Sequence, residues 1–347
     1  MKAVVFNTPG TIELVDRPIP QPGPGEVCIK TAAVGICGTD LHLFDGDFEG
    51  AGFPMVPGHE ASGWIHETGA GVTHLSPGQP VVINPNVMCG TCEFCQDGRS
   101  NLCTNWDGRG VMKTDGCAQE YFTAPAENTF ALKNSTDVFA ASLIEPLACV
   151  VHAFDQIPRR LGDHFLIYGA GTMGLLVAQI APRAGAASVT VVDISETRRE
   201  AARDVGIESV VSGVGEAHRD RFEVVIDCTG NPHAVEDALT RVKPGGTFLQ
   251  VGVTAHHSAI DLRPFQVYRD EITISGTLIV QNSFRRAVEM FEAGAINYQA
   301  MTSHSFPLES FADALEQFRA GVGRKLHIRP GDTEPRALGV HLSTNQK

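Results

Sequence analysis

Short runs of Val, Ile and Thr, separated by Gly and Pro, dominate the first 150 residues of the chain. Examples are EVCIKTAAVGI and QPVVINP. Strands rich in β-branched residues and joined by Gly and Pro turns are typical of all-β units. The pattern therefore predicts a β-rich or barrel-like domain in this part of the chain.

The pattern changes from Leu147 onward, where apolar strands alternate with helical segments. The strands are HFLIYGAG, SVTVVDIS, EVVIDCTG and GTFLQVGV, and the helical segments include TMGLLVAQIAPRAG, ETRREAARDVG and HAVEDALTRVKPG. Strands that are apolar throughout and alternate with helices form parallel sheets covered on both faces. We therefore predict an α/β domain with a doubly wound parallel sheet over 150–285.

The last part of the chain departs from this alternation. EITISGTLIV predicts one more strand and FRRAVEMFEAG a helix, but the segments SHSFPLESFADALEQFRAG and KLHIRP do not continue the pattern. We expect 286–330 to complete the domain formed by 1–149. Residues 331–347 show no apolar periodicity and are predicted to form a flexible tail.

Composition and charge limit the classes of partner. Of the 347 residues, 43% are hydrophobic and 19% are charged, and the formal net charge is −13. Nucleic acid and anionic membrane surfaces both require a basic face, so a small molecule is the expected partner. The sequence has neither a signal peptide nor an apolar run long enough for a membrane helix, which indicates a cytoplasmic protein.

A glycine-rich turn between the first apolar strand and its helix carries Gly169, Gly171, Thr172, Met173 and Gly174. In this context GxGxxG is a dinucleotide fingerprint. Its first glycine permits a tight turn, its second lets the backbone approach a pyrophosphate, and its third lets the helix pack closely.

The choice between NAD and NADP depends on the end of the next strand, where Asp193 lies. Its carboxylate can accept the ribose hydroxyls and would repel a 2′-phosphate, which favours NAD. NADP stays open through Arg198 and Arg199, although both also suit a solvated helix face.

Four cysteines in a polar loop, Cys89, Cys92, Cys95 and Cys103, form the pattern C-x2-C-x2-C-x7-C. Four thiolates at this spacing suit a closed tetrahedral zinc site, and an iron–sulfur cluster is the competing interpretation. Disulfides are disfavoured in a chain of this length without an export signal. We predict a structural zinc ion.

A second set of ligand-type residues is spread along the chain. It consists of Cys37 in GICGTDLH, His59 and Glu60 in PGHE, and Glu145 in LIEPLACV. A thiolate, an imidazole and a carboxylate would leave the exchangeable fourth position that a catalytic zinc needs. Spacing alone does not unite them, because each also suits a turn, a core position or a helix start.

Taken together, GICGTDLH, PGHE, the four-cysteine loop, EPLACVVHA and GAGTMG resemble the zinc-containing medium-chain alcohol dehydrogenase family. The resemblance runs in order to about Pro330 and is strongest to the polyol (sorbitol- and xylitol-type) and threonine dehydrogenase branch. It implies a GroES-like catalytic domain interrupted by a Rossmann domain, with the active site in the cleft between them. It also implies hydride transfer between a secondary alcohol and NAD, and two zinc ions per chain, one catalytic and one structural.

The resemblance assigns roles around the catalytic zinc. Cys37 and His59 would bind it together with either Glu60 or Glu145. Glu60 is favoured, because the corresponding glutamate is the usual ligand in polyol dehydrogenases. Thr39 and His42 match the hydroxyl and the imidazole that relay the alcohol proton towards solvent.

In the nucleotide half, the resemblance matches Thr229 and Val253 to cofactor contacts. Leu278 and Ile279 fall where the family's main chain meets the carboxamide. Family members pair through the strand that ITISGTLIV would supply, so a homo-oligomer, either a tetramer or a dimer, is expected.

Two departures from the family pattern leave the substrate open. Ile279 and Val280 stand where sorbitol dehydrogenases carry an Arg-Tyr pair, and Leu43 and Phe44 are apolar where those enzymes carry an aromatic hydroxyl. A threonine-, diol- or cyclitol-type dehydrogenase is therefore an alternative to a polyol enzyme. An alternative from another class is a non-catalytic, zinc-stabilised nucleotide-binding protein.

Overall fold

The computed structural model describes residues 1–216 and 221–338 of the chain. Contacts divide them into two units. The first comprises Met1–Glu145, Phe284–Ala293 and the chain from Thr302 onward, and the second comprises Pro146–Ser283 and Gly294–Met301. The predicted boundaries lie at 149/150 and 285/286, and the structure in addition places 294–301 in the second unit.

The first unit is rich in short strands up to residue 131. These strands are β1 (Lys2–Thr8), β2 (Thr11–Asp16), β3 (Glu26–Gly35), β4 (Glu60–Thr68), β5 (Pro80–Ile83), β6 (Asn86–Val87), β7 (Asp107–Gly108), β8 (Tyr121–Pro125) and β9 (Thr129–Ala131). The helices in this part of the chain are α1 (Gly38–Asp45), α2 (Glu93–Gln96) and α3 (Ile144–Asp155), the last of which starts at the end of the unit.

Strand β3 organises the sheet of the first unit. It pairs antiparallel with β4 and with β8, and β4 continues through β5 to β9. The core beneath contains the fully buried Phe6, Ile29 and Phe122. Since β3 is buried along most of its length, its position is set by this core, and so is the position of the residues that follow it.

The second unit alternates strands and helices as the pattern predicts. Its elements are β10 (His164–Tyr168), α4 (Thr172–Ile180), β11 (Ser188–Val192), α5 (Glu196–Asp204), β12 (Ser209–Val211), β13 (Phe222–Asp227), α6 (Pro232–Thr240), β14 (Val242–Gln250), α7 (Pro264–Asp270) and β15 (Thr273–Gly276).

The six strands of the second unit form one parallel sheet in the order β12-β11-β10-β13-β14-β15. This is the doubly wound order in which the central pair, here β10 and β13, forms the topological switch point. The central strands are buried, with Leu166, Val225 and Leu249 fully enclosed. The predicted α/β fold class with a β-rich partner domain is confirmed.

The chain after β15 adds elements to both units. These are α8 (Phe284–Glu292), α9 (Tyr298–Met301), β16 (Thr302–Phe306), α10 (Phe311–Arg319), β17 (Lys325–Ile328) and β18 (Arg336–Ala337). Strand β17 pairs with β3 and with β16, so that the first unit's sheet gains strands from the far end of the chain. Phe306 and Phe311 join its core.

The predicted flexible tail differs from the structure in its first part. Strand β18 pairs antiparallel with β16 through Arg336 and Ala337. The pairing uses backbone groups, and both side chains are exposed. The apolar pattern of the sequence therefore could not predict this strand. The rest of the predicted tail, 339–347, lies outside the described residues.

The strand predicted over EITISGTLIV is shorter than the pattern suggested. Strand β15 ends at Gly276, and Ile279 has a φ of 45°. That value lies in the left-handed region, which an extended strand cannot contain and which β-branched residues rarely adopt. The apolar run therefore bends away from the sheet before Val280.

Within 1–216 and 221–338, no helix combines the length and the apolar character that crossing a membrane requires.

Candidate metal centres and cofactor site

Three ligand-type side chains of the first unit meet beyond the end of β3. One ligand atom from each of Cys37, His59 and Glu60 lies within 4.8 Å of the others. His59 and Glu60 are 7% and 1% exposed, respectively. A thiol, an imidazole and a carboxylate gathered in this way could hold a metal ion.

The pairing of β3 with β4 brings these residues together. Gly35, the last residue of β3, pairs with Glu60, the first residue of β4. Cys37 follows Gly35 by two positions as the N-cap of α1, and His59 directly precedes Glu60. The register of two strands thus unites residues that sequence spacing left apart.

Asp40 supports the cluster, although no sequence motif identified it as a site residue. It is fully buried, its Oδ2 accepts the backbone N–H of Cys37 at 2.8 Å, and its Oδ1 lies 4.0 Å from Nδ1 of His59. The carboxylate therefore fixes Cys37 at the helix start and faces the imidazole. An acidic residue three positions after an N-cap is a known capping pattern, which could have indicated this contact.

The charges around His59 suit a cation. Burial by itself lowers the pKa of His59, but contact with Cys37 and the charges of Cys37, Asp40 and Glu145 raise it to about 10. Its Nδ1 has no hydrogen-bond partner among the described residues. Sulfur, nitrogen and oxygen donors gathered in this way fit zinc, whose protein ligands are Cys, His and carboxylates.

Glu145 does not join the group that Cys37, His59 and Glu60 form among the described residues. It is 7% exposed, and its charge contributes to the raised pKa of His59. The structure therefore brings Glu60 to the cluster and leaves Glu145 outside it.

Thr39 and His42 both lie on α1. Thr39 is half-buried, and its Oγ1 lies 3.8 Å from Sγ of Cys37, whereas His42 is exposed. Side chains three positions apart on a helix lie on the same face. A hydroxyl beside the cluster is thus followed, one turn later, by an imidazole at the surface.

The apolar pair after His42 belongs to the core. Leu43 is fully buried, and the ring of Phe44 packs 5.7 Å from that of Phe6 in an edge-to-face arrangement. Packing accounts for their apolar character.

The four-cysteine loop forms a second cluster. The sulfur atoms of Cys89, Cys92, Cys95 and Cys103 all lie within 4.8 Å of one another. Those of Cys89 and Cys103 are 3.4 Å apart, well beyond the roughly 2.05 Å of a disulfide. Backbone N–H groups of Thr91 and Cys92 lower the pKa of Cys89 to about 5. Four free thiols with a stabilised thiolate among them fit a tetrahedral metal site.

The glycine-rich turn lies between β10 and α4 in the second unit. Gly169 has a φ of 93°, and a Cβ on Gly174 would overlap the carbonyl oxygen of Gly169. By contrast, a Cβ on Gly171 would meet no atom within 4 Å. Thr172 and Met173 begin α4, where backbone N–H groups are left free to bind an anion. The fold itself needs two of the glycines, and the space over Gly171 suits a ligand.

Asp193 follows β11 beside this turn. Its Oδ2 accepts the N–H of Ala170 at 2.8 Å, and its Oδ1 accepts the N–H of Ser195 at 2.8 Å. Arg199 donates to the backbone oxygen of Asp193 at 2.7 Å and pairs with Glu196, while Arg198 is exposed. The carboxylate is therefore held against the glycine turn. Arg199 binds the backbone oxygen of Asp193 and the carboxylate of Glu196, and not the carboxylate of Asp193.

The remaining predicted cofactor residues lie beyond the carboxyl ends of the next strands. Thr229 follows β13, Val253 follows β14, and Leu278 and Ile279 follow β15. Val253 and Leu278 are 81% and 51% exposed. In parallel sheets, ligands bind outside this edge.

Asp227 organises the same edge, although no sequence motif identified it as a site residue. It is fully buried and accepts hydrogen bonds from the hydroxyl of Thr229 at 2.6 Å, the N–H of Gly230 at 3.0 Å and the amide of Gln250 at 2.7 Å. Its position as the last residue of an apolar strand was the available signal.

Two family descriptions match the chain. Residues 23–134 match the alcohol dehydrogenase GroES-like domain, and residues 172–293 match the zinc-binding dehydrogenase family.

Curated relatives align over nearly the whole chain. Sorbitol dehydrogenase of Gallus gallus is 33% identical, with 96% of this chain and 98% of that protein covered. Sorbitol dehydrogenase of Homo sapiens is 31% identical, with 96% and 97% covered. D-arabinitol dehydrogenase 1 of Uromyces fabae is 31% identical, with 95% and 97% covered.

Solved structures agree in fold. A Sinorhizobium meliloti protein described as a zinc-binding dehydrogenase, bound to NADP, has a TM-score of 0.91 at 33% identity, covering 95% of this chain and 99% of that one. An Escherichia coli alcohol dehydrogenase complexed with NADH has a TM-score of 0.87 at 26% identity, with 95% and 99% covered. The chain therefore belongs to the polyol branch of the zinc-containing medium-chain alcohol dehydrogenase family, as an oxidoreductase that uses zinc and a nicotinamide cofactor.

Proposed function

We propose that this enzyme oxidises a polyol or a related secondary alcohol with NAD, and that Cys37, His59 and Glu60 hold its catalytic zinc ion. The observation that carries the proposal is the meeting of these three side chains within 4.8 Å of one another, with Thr39 beside them. The four-cysteine loop holds a second, structural zinc ion. The names of the sorbitol and D-arabinitol dehydrogenases support a polyol as the substrate class.

The chain's own residues position the reactants and move a proton. When bound, zinc supplies a Lewis acid that lowers the pKa of an alcohol hydroxyl, and the nicotinamide ring accepts a hydride. Thr39 accepts the alcohol proton at Oγ1 and at the same time releases its own hydroxyl proton towards His42. His42, one turn further along α1 and exposed, passes it to water. Asp40 keeps Cys37 at the start of the same helix.

Turnover of a panel of alcohols tests the proposal. The purified chain would be assayed with NAD against sorbitol, xylitol, D-arabinitol, threonine and 2,3-butanediol, and its zinc content measured. Turnover of a polyol with two zinc ions per chain is expected. If only threonine or only the diol is turned over, the proposed polyol class is wrong. A chain that binds one zinc ion and oxidises no alcohol of the panel would contradict the proposed function.

The apolar residues after β15 favour a shorter or less hydroxylated alcohol within this class. Val280 is 3% exposed, and Ile279 beside it offers no hydrogen-bonding side chain. A long polyol needs donors and acceptors along its length. We therefore expect the shorter polyols of the panel to have the higher kcat/KM.

NAD is the proposed cofactor because of Asp193. The carboxylate is fixed beside the glycine turn by two backbone N–H groups, and each oxygen keeps a lone pair for a ribose hydroxyl. A 2′-phosphate would meet this negative charge. One solved neighbour is bound to NADP and another to NADH, so the preference of the present chain for NAD is inferred from Asp193 and not from these neighbours.

Asp193→Asn is expected to lower kcat/KM for NAD by roughly ten- to a hundredfold, because a hydrogen bond to a charged group contributes about 1.5–3 kcal/mol. The ratio of kcat/KM for NAD to that for NADP should fall with it. Steady-state kinetics with both cofactors measure the change. Arg198→Ala is the matched control and should leave NAD kinetics unaltered; if it instead abolishes a dominant NADP activity, the assignment of NAD is wrong.

Thr39→Val should lower kcat by about a hundredfold or more while both zinc ions stay bound, because valine keeps the shape and lacks the proton acceptor. Pre-steady-state and steady-state rates together with zinc analysis check this. Thr123→Val, at a half-buried position of β8, provides the control and should keep full activity. An unchanged kcat for Thr39→Val would remove Thr39 from the proton path.

We further propose a homo-oligomer, a dimer or tetramer, that pairs through the edge of the parallel sheet. Strand β15 is the last strand of that sheet, and Ile274 on it and Leu278 after it are 45% and 51% exposed. An exposed apolar edge favours pairing with a second chain. Light scattering should give a mass of at least two chains, and a monomer mass would contradict the proposal.

We propose a cytoplasmic location because none of the nine cysteines, all of which lie among the described residues, forms a disulfide. Thiols persist in reducing compartments.

A further inference from the structure

A buried lysine lies beside the cluster of Cys37, His59 and Glu60, which we call the mixed cluster. Lys325, the first residue of β17, is 1% exposed. Its ammonium forms an ion pair with Oε2 of Glu60 and donates a hydrogen bond to the backbone oxygen of Ile36 at 2.9 Å. Lys325 therefore contacts one residue of the cluster and the carbonyl that directly precedes another, Cys37.

The absence of a side chain at Gly35 makes room for this ion pair. Gly35 pairs with Glu60 on one side and with His327 on the other, so it separates the strands that carry the two charges. A Cβ on Gly35 would overlap Oε2 of Glu60 and would lie 2.6 Å from Cε of Lys325. The carboxylate and the ammonium thus occupy one shared space beside the backbone of β3.

Core packing does not explain a lysine at this position. Buried ion pairs are often matched or exceeded in stability by apolar residues of similar size. The surroundings explain it better, because the ammonium of Lys325 pairs with the carboxylate of Glu60 and donates to the carbonyl that directly precedes Cys37. The lysine therefore serves the charged cluster rather than the core.

We propose that Lys325 is a positioning residue that holds Oε2 of Glu60, so that the carboxylate presents only its other oxygen, Oε1, to a metal bound by Cys37 and His59. A carboxylate can bind zinc through one oxygen or both, and a catalytic zinc needs an open position for its substrate. With Oε2 held by the ammonium, Glu60 occupies one coordination position of the metal through Oε1. The position that the substrate needs then stays open. The inference rests on the proposed role of Glu60 as a ligand.

The test compares full-length Lys325→Met with the wild-type enzyme after cobalt(II) replaces zinc at the mixed site. The freed Oε2 should raise the coordination number, so the cobalt d–d bands should weaken and shift, while the four-cysteine site keeps its zinc. Alcohol kcat/KM should fall roughly ten- to a hundredfold. Lys133→Met is the control: it removes an exposed lysine of the same unit and should alter neither reading.

An unchanged cobalt spectrum in Lys325→Met would overturn the inference. If that variant fails to fold, Glu60→Gln and the double variant Glu60→Gln/Lys325→Met are compared, since neither leaves an anion buried without its partner. Their cobalt spectra should be the same, because Lys325 acts through the carboxylate, and a difference between them would overturn the inference. A wild-type chain with one metal site would instead contradict the proposed function.

Discussion

Cys37→Ser is expected to remove one of two zinc ions and to lower kcat/KM for the alcohol by about a thousandfold or more. Cys37 supplies the sulfur of the mixed cluster, and a serine hydroxyl is a poor replacement because it stays protonated near neutral pH. A Lewis acid at the reacting oxygen contributes several kcal/mol to the transition state, and each 1.36 kcal/mol is a factor of ten in rate. Metal analysis and steady-state kinetics measure both changes.

Cys28→Ser provides a matched control for Cys37→Ser. Cys28 lies on β3, the strand that precedes Cys37, is fully buried and belongs to neither of the two clusters of ligand-type residues. It should keep both zinc ions and lose some stability, since a hydroxyl is buried in its place. If Cys37→Ser kept two zinc ions and normal kinetics, the mixed cluster could not be the catalytic site.

The two kinds of site differ in how far the sequence could predict them. The four cysteines lie within one loop and the glycines within one turn, so local spacing specifies their geometry. Cys37 and His59 come from separate segments, and their meeting depends on the register of β3 with β4. Register is set by the packing of many side chains across the sheet, which spacing does not encode. The family resemblance supplied the link that the residues alone did not.

Lys325 illustrates what no local pattern could indicate. In KLHIRP it resembles an exposed residue at the start of a strand. Its burial follows from the pairing of β17 with β3, two strands from opposite ends of the chain. Likewise, the backbone pairing of Arg336 and Ala337 requires no apolar side chain, so periodicity could not predict β18.

Ile279 shows a failure in the other direction. An apolar run of β-branched residues favours a strand, yet the backbone there adopts a left-handed conformation. Such a conformation at a β-branched residue persists only when its surroundings hold it. Ile279 lies beyond the carboxyl edge of the parallel sheet, where the cofactor contacts are proposed. The tertiary structure at this edge overrides the local preference for a strand.

Gly174→Ala is expected to lower the free energy of unfolding by about 3 kcal/mol or more, which is at the upper end for added atoms in a packed interior. A Cβ there would overlap the carbonyl oxygen of Gly169 and lie 2.9 Å from its carbonyl carbon. Backbone atoms on both sides cannot move apart without shifting α4 from β10. Denaturant unfolding measures the loss, and a variant as stable as the wild type would contradict the close packing of this turn.

Gly171→Ala should leave stability nearly unchanged and weaken cofactor binding. The two variants therefore distinguish a glycine that the fold requires from a glycine that cofactor binding requires. The φ of −75° at Gly171 suits any residue, and the added Cβ would meet no protein atom within 4 Å. Stability should therefore stay within about 1 kcal/mol of the wild type. The same methyl group would enter the space where a pyrophosphate approaches the start of α4, so the Kd for NAD should rise roughly tenfold or more. Calorimetric titration with NAD measures this. Normal affinity in Gly171→Ala would mean that the cofactor phosphates bind elsewhere, whatever the stability of Gly174→Ala.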